Sequence, residues 1–86
     1  MSNSQLIFKK KLLYQSQNRG CKETDLIIGS FTKKYIDTMN SKDLQELQTI
    51  LKINDTDFYD WYTKKKPLPK NYHSSLMHKL LSFIPN

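Results

Sequence analysis

The sequence predicts an all-α fold, a small five-helix bundle in a single domain, and three observations carry that prediction. Apolar residues recur at steps of three and four almost throughout, the spacing that gathers them on one helical face. No stretch of four or more residues alternates strictly with β-branched enrichment, so no half-buried strand is indicated. Gly, Pro, Asn and Ser fall between the apolar stripes, where helices stop and start. With 86 residues, and domains usually taking roughly 100 to 150, residues 1–86 form one helical domain.

The first helix is expected from Gln5 to Gln17, with Phe8, Leu12 and the Leu13/Tyr14 pair inward and Lys9, Lys10 and Lys11 fanned across the solvent side. Asn18, Arg19 and Gly20 break it, because Gly frees the backbone to turn. The second runs from Lys22 to Met39 on a stripe of Ile28, Phe31, Tyr35 and Met39, widened by Ile27 and Ile36. Gly29 and Ser30 lie in its middle, where Gly costs about 1 kcal/mol against Ala and so signals a kink or a close helix contact. Asn40 or Ser41 caps the third helix, whose Leu44, Leu47, Ile50 and Leu51 face inward until it ends near Lys52. Asn54 or Asp55 caps a short fourth helix bearing Phe58, Tyr59, Trp61 and Tyr62; four aromatics in five positions cannot all point inward, so one or two reach a partner surface. Lys64 to Tyr72 is a loop stiffened by Pro67 and Pro69. Ser74 or Ser75 caps the last helix, with Leu76, Met77, Leu80, Leu81 and Ile84 as its stripe and Pro85 closing it.

Composition narrows the function. Fourteen basic against eight acidic residues give +6, yet thirteen of the fourteen are lysine, and neither alanine nor valine occurs. That bias is the one expected of a genome poor in G and C, which would account for part of the charge without a polyanion partner. Cys21 is the single cysteine, which excludes an intrachain disulfide and a thiolate metal cage and suits a reducing compartment. No apolar run approaches the roughly 18 residues of a membrane helix, and Met1 to Gln5 resembles neither a secretory signal nor an Arg-rich presequence, so a bacterial cytoplasm is expected.

The motifs of hydrolases, metalloenzymes and nucleotidyl-transfer enzymes are absent: there is no phosphate-cradling Gly loop and no His pair at metal spacing. His73 and His78, five apart, do not share a helical face. Cys21, at a helix start, reads as a packing thiol without a His to activate it. The lysine runs invite a nucleic-acid reading, but arginine is the residue for bidentate contact to guanine and the chain has one. Solvated faces account for the lysines better. The most informative stretch is Arg19-Gly20-Cys21-Lys22-Glu23-Thr24-Asp25. A Gly between two helices lets another backbone approach closely, Arg19 offers a forked donor, and Glu23 and Asp25 place anions at a positive helix end. Local chemistry alone also fits simple helix termination and capping.

That stretch, Arg-Gly-x-x-Glu-x-Asp after a helix with Leu12-Leu13-Tyr14-x-Ser16, resembles the signature of the succinate dehydrogenase assembly factors of the SdhE/Sdh5 type. The likeness continues through Phe31, the Leu-rich third helix and Asp55-x-Asp57-Phe58-x-x-Trp61 on to Pro67. It is carried mainly by Lys11 to Pro69, with a family-like region over about residues 6–84. Two departures stand out: Tyr62 where a leucine is common and Lys64 where a glycine is common.

The resemblance implies a five-helix, non-enzymatic assembly factor that binds the flavoprotein subunit of succinate dehydrogenase, or of the related fumarate reductase, and promotes covalent attachment of FAD to it. It implies no stably bound cofactor, FAD being handled through the client, no metal and no catalytic residue. Carried over by position, Arg19, Gly20, Glu23, Asp25 and Trp61 are the partner-binding residues: Gly20 permits close approach, Arg19 and Glu23 make charge-assisted contacts, Asp25 serves the same face or caps its helix, and Asp55 caps the fourth helix. Phe31 is expected to anchor the core beneath them. A monomer without membrane insertion and without a nucleic-acid partner follows. The competing reading is a small basic nucleic-acid-binding or antitoxin-like regulatory protein that uses the lysine faces.

Overall fold

The computed structural model describes residues 3–85; Met1, Ser2 and Asn86, and with them the outermost ends of the expected domain and of the Met1–Gln5 start, lie outside the described residues. Five α-helices follow one another: α1 (Asn3–Gln17), α2 (Lys22–Tyr35), α3 (Ser41–Ile50), α4 (Asp55–Tyr62) and α5 (Ser75–Leu81). Short 3₁₀ turns at Ile36–Thr38 and Lys70–Tyr72 complete the order, and no strand occurs among the described residues. The helices enclose one core in a body 40 × 26 × 21 Å across.

The helix starts follow from side-chain chemistry. Asn40, Asn54 and Ser74 each accept a hydrogen bond from the backbone N–H three residues on, at Asp43 (2.9 Å), Asp57 (2.9 Å) and Met77 (3.1 Å). At α3 the Asp43 carboxylate returns a contact to the Asn40 N–H, closing a capping box. Asn54, and not Asp55, is therefore the cap of α4, which leaves the Asp55 carboxylate for another task.

The stripes meet in a core whose fully buried members include Leu12, Ile28, Phe31, Leu44, Leu47, Phe58 and Leu80, each contributing about 1.5–3 kcal/mol by leaving water. Gly29 is where α1 and α2 touch: a Cβ there would stand 3.0 Å from Gln17 Cγ and 3.3 Å from the Ser16 carbonyl oxygen. The mid-helix glycine thus marks a close helix contact.

Four details differ from the sequence expectation, the first being Tyr14, which is 68% exposed while its neighbour Leu13 alone packs against the core. The second helix ends at Tyr35 and tightens into the 3₁₀ turn, although Ile36 and Met39 continue to be buried. The last helix stops at Leu81, leaving Ile84 exposed, while Phe83 turns inward with its ring edge-on to Phe31 at 5.5 Å. Lys9 does not fan into solvent: its stem is buried and its ammonium donates to the Asp37 carbonyl oxygen at 3.2 Å, just past α2.

Candidate functional site

Gly20 sits between α1 and α2 with φ +96°, a conformation an L side chain adopts only with strain, and nothing lies within 4 Å of where its Cβ would be. Its surface is open to an approaching backbone. The turn is held from the following helix, where Asp25 Oδ1 accepts the Arg19 backbone N–H at 2.9 Å. Asp25 is half-buried by this contact.

The Arg19 side chain turns away from the exposed glycine and into the protein. Its Nε donates to Asp55 Oδ1 at 2.8 Å, Nη1 to the Leu51 carbonyl at 2.7 Å and Nη2 to the Ile53 carbonyl. Leu51 and Ile53 lie just past the C-terminal end of α3, where carbonyls lack helical partners, and Asp55 opens α4. The guanidinium therefore caps one helix and pairs with the first residue of the next. Only 10% of the side chain is exposed, a burial that a charge tolerates when paired and hydrogen-bonded. Thr24 Oγ1 donates to the same Asp55 Oδ1 at 2.8 Å. The two sequence blocks singled out, Arg19–Asp25 and Asp55–Trp61, are thus joined by direct bonds.

Glu23, one residue before Thr24, points outward. The Cys21 thiol donates toward its Oε2 at 3.5 Å, and both residues line an open groove of about 240 Å³ whose other wall is Asp55, Thr56, Tyr59 and Asp60. Tyr59 is 41% exposed, so among the clustered aromatics it is the one presented beside Glu23. Tyr59 carries no motif of its own; the only signal for it was the excess of aromatics on a short helix. Trp61 does not line this groove. It is half-buried, its ring tilted against Tyr72 at 5.1 Å, and it lines a separate recess with Leu68, His73, His78 and Leu81. Phe31 is fully buried beneath Tyr35 and Phe83.

The histidines do meet, because His73 precedes α5 and is free of helical spacing: its Nδ1 is 2.9 Å from His78 Nε2 and its Nε2 is 3.2 Å from the Leu68 carbonyl oxygen. Among the described residues no group of three or more His, Cys, Asp and Glu is gathered to hold a metal. The N-terminus of α2 does not suit the pyrophosphate of a flavin dinucleotide. Pyrophosphate is held where a Gly-rich turn feeds a helix N-terminus, and here the first turn after Gly20 is occupied by the carboxylates of Glu23 and Asp25. No helix is long and apolar enough to cross a membrane among the described residues.

A family model described as "Sdh5: Flavinator of succinate dehydrogenase" matches residues 10–84. A Drosophila ananassae protein named succinate dehydrogenase assembly factor 2-B, mitochondrial, is 38% identical over 82 residues, covering 93% of this chain and 50% of that protein. Succinate dehydrogenase assembly factor 2, mitochondrial, of Saccharomyces cerevisiae strain S288c is 39% identical over 82 residues, with 91% of this chain and 51% of the yeast protein covered. The Danio rerio protein of the same name is 34% identical over 82 residues, at 93% and 52%. The chain spans about half the length of the curated relatives it matches.

Proposed function

The chain belongs to the family of flavinators of succinate dehydrogenase, and from that premise we propose that it binds the flavoprotein subunit of that enzyme and promotes covalent attachment of FAD to it, as a conformational chaperone and not as a catalyst. The observation that carries the reading is the union of the two signature blocks in one face, with Cys21, next to open Gly20, and outward Glu23 on one side of a groove and Tyr59 on the other. This face holds carboxylates, a thiol, a phenol and bare backbone. The bond to flavin is left to the client's own groups.

Such a face acts by preference. A partner that binds the organised client conformer about 3 kcal/mol more tightly than the open one enriches it more than about a hundredfold, bringing the client's acceptor side chain against the flavin without supplying a reacting group. Gly20 and Glu23 form the contact surface, and Asp25 holds the turn beneath them. Trp61, set in its own recess, supports this face through α4 or meets the client at a second point. The relatives bear mitochondrial names, which lends no support to a bacterial cytoplasm; the protein works in whichever compartment the client flavoprotein is assembled. The factor is read as a monomer that binds one client.

Co-purification from native cells tests the reading: a flavoprotein should accompany the protein, and deletion should leave that flavoprotein without covalent flavin. Recovery of fully flavinylated client from the deletion strain would overturn it. Gly20→Arg should abolish capture while leaving the helices formed, because the site is open and the φ strain costs about 1–2 kcal/mol against a total stability of about 4–9 kcal/mol. Circular dichroism read beside client capture checks both halves.

A further inference from the structure

We propose that Arg19, Asp55 and Thr24 are positioning residues for client binding, and that Arg19 acts by locking α4 against the first turn of α2 without itself touching the client. The inference rests on the reading in which the client meets Gly20 and Glu23. Three of the five guanidinium N–H groups are committed to acceptors spread over five residues of the α3–α4 junction, and the side chain is 90% buried by them. One N–H is left on each Nη, but with nine-tenths of the side chain buried the fork is already spent on the junction and offers a partner little surface.

The junction it grips controls the groove. Asp55 Oδ1 receives both Arg19 Nε and Thr24 Oγ1. Thr24 adjoins Glu23 on α2, and Asp55 lies four residues before Tyr59, on the same face of α4. One carboxylate oxygen thereby fixes the spacing between the Glu23 wall and the Tyr59 wall. Lysine at position 19 would keep the charge but not the planar fork that meets a carboxylate and two carbonyls at once.

The test is a double-mutant cycle on affinity for the apo flavoprotein subunit, using Arg19→Lys, Asp55→Ala and the pair, at a temperature where circular dichroism shows every variant fully folded. Each single change should weaken binding by about tenfold or more, and the double variant should be weaker than the worse single by no more than about twofold, since both break one lock. Wild-type affinity for Asp55→Ala beside a large loss for Arg19→Lys would assign Arg19 to the client and overturn the proposal. So would losses that multiply. Amide exchange, read without client, gives an independent measure: the N–H groups of Asp57 and Phe58 should lose protection in both single variants, and unchanged exchange would also overturn the lock. Glu23→Ala separates the two ideas, because wild-type affinity in that variant would sink the client face while exchange still judges the lock.

Discussion

Lys64 shows how a single residue is chosen against its own backbone. It has φ +63° directly after α4, where its N–H donates to the Trp61 carbonyl at 3.2 Å and the Lys65 N–H to the Asp60 carbonyl at 2.8 Å, the paired bonds of a Schellman ending. Glycine takes that conformation without the Cβ penalty, so Lys64→Gly should stabilise the protein by about 1 kcal/mol, and a melting temperature unchanged or lowered would contradict this account. The sequence departure from the family pattern thus marks the very position where the turn needs left-handed backbone. Thr32 is a second residue at odds with its surroundings: it is fully buried and its hydroxyl has no hydrogen-bond partner. Thr32→Val keeps the volume and removes the stranded hydroxyl, so a gain of about 1 kcal/mol in urea-unfolding free energy is expected.

Elements are held at their ends and crossings by contacts of the same kind. Tyr62, the other departure from the family pattern, donates its hydroxyl to the Phe83 carbonyl at 2.6 Å and stacks on Phe58, tying the segment after α5 to α4. Tyr62→Phe should cost about 1 kcal/mol and increase proteolytic cleavage near residues 82–85. At the α1–α2 crossing, Gly29→Val should destabilise by about 2 kcal/mol, since its branches must displace Gln17 and press on the Ser16 carbonyl; an unchanged melting midpoint would show that the helices part freely. The helices themselves were legible because each buries a stripe at 3.6-residue spacing, and so was the close contact at Gly29. The end of α2 was not, because Ile36 and Met39 keep the spacing of a helix while the backbone tightens around them. Lys9 was misplaced for a related reason, since its stem follows the apolar face and its charge finds a carbonyl 28 residues away. At the site, Gly20 and Glu23 were legible as a turn and an outward anion, whereas the fate of the Arg19 fork depends on acceptors 32 to 36 residues distant, which no local pattern encodes.

Across the whole molecule the charge is unevenly laid out, and this separates the client reading from the nucleic-acid one. The chain carries +6, but five of its eight acidic residues, Glu23, Asp25, Asp55, Asp57 and Asp60, lie on the first turn of α2 and on α4. The proposed face is therefore locally anionic on a cationic body, and two of its carboxylates are already paired, Asp55 with Arg19 at 2.8 Å and Asp60 with Lys66 at 3.6 Å. A polyanion would be drawn less to it than to exposed lysines elsewhere, such as Lys10, Lys11 and Lys33. Binding through several phosphate contacts falls by orders of magnitude between about 50 and 200 mM salt, because each contact releases condensed counterions. A client held by close approach at Gly20 and packing on Tyr59 has few ion pairs to lose, and its affinity should change by less than about tenfold over the same range. Titrating the apo flavoprotein subunit and a DNA duplex in parallel at the two salt concentrations decides between them. A steep salt dependence for the flavoprotein, matched by tight duplex binding that Gly20→Arg leaves intact, would move the function from the glycine turn to the lysine faces.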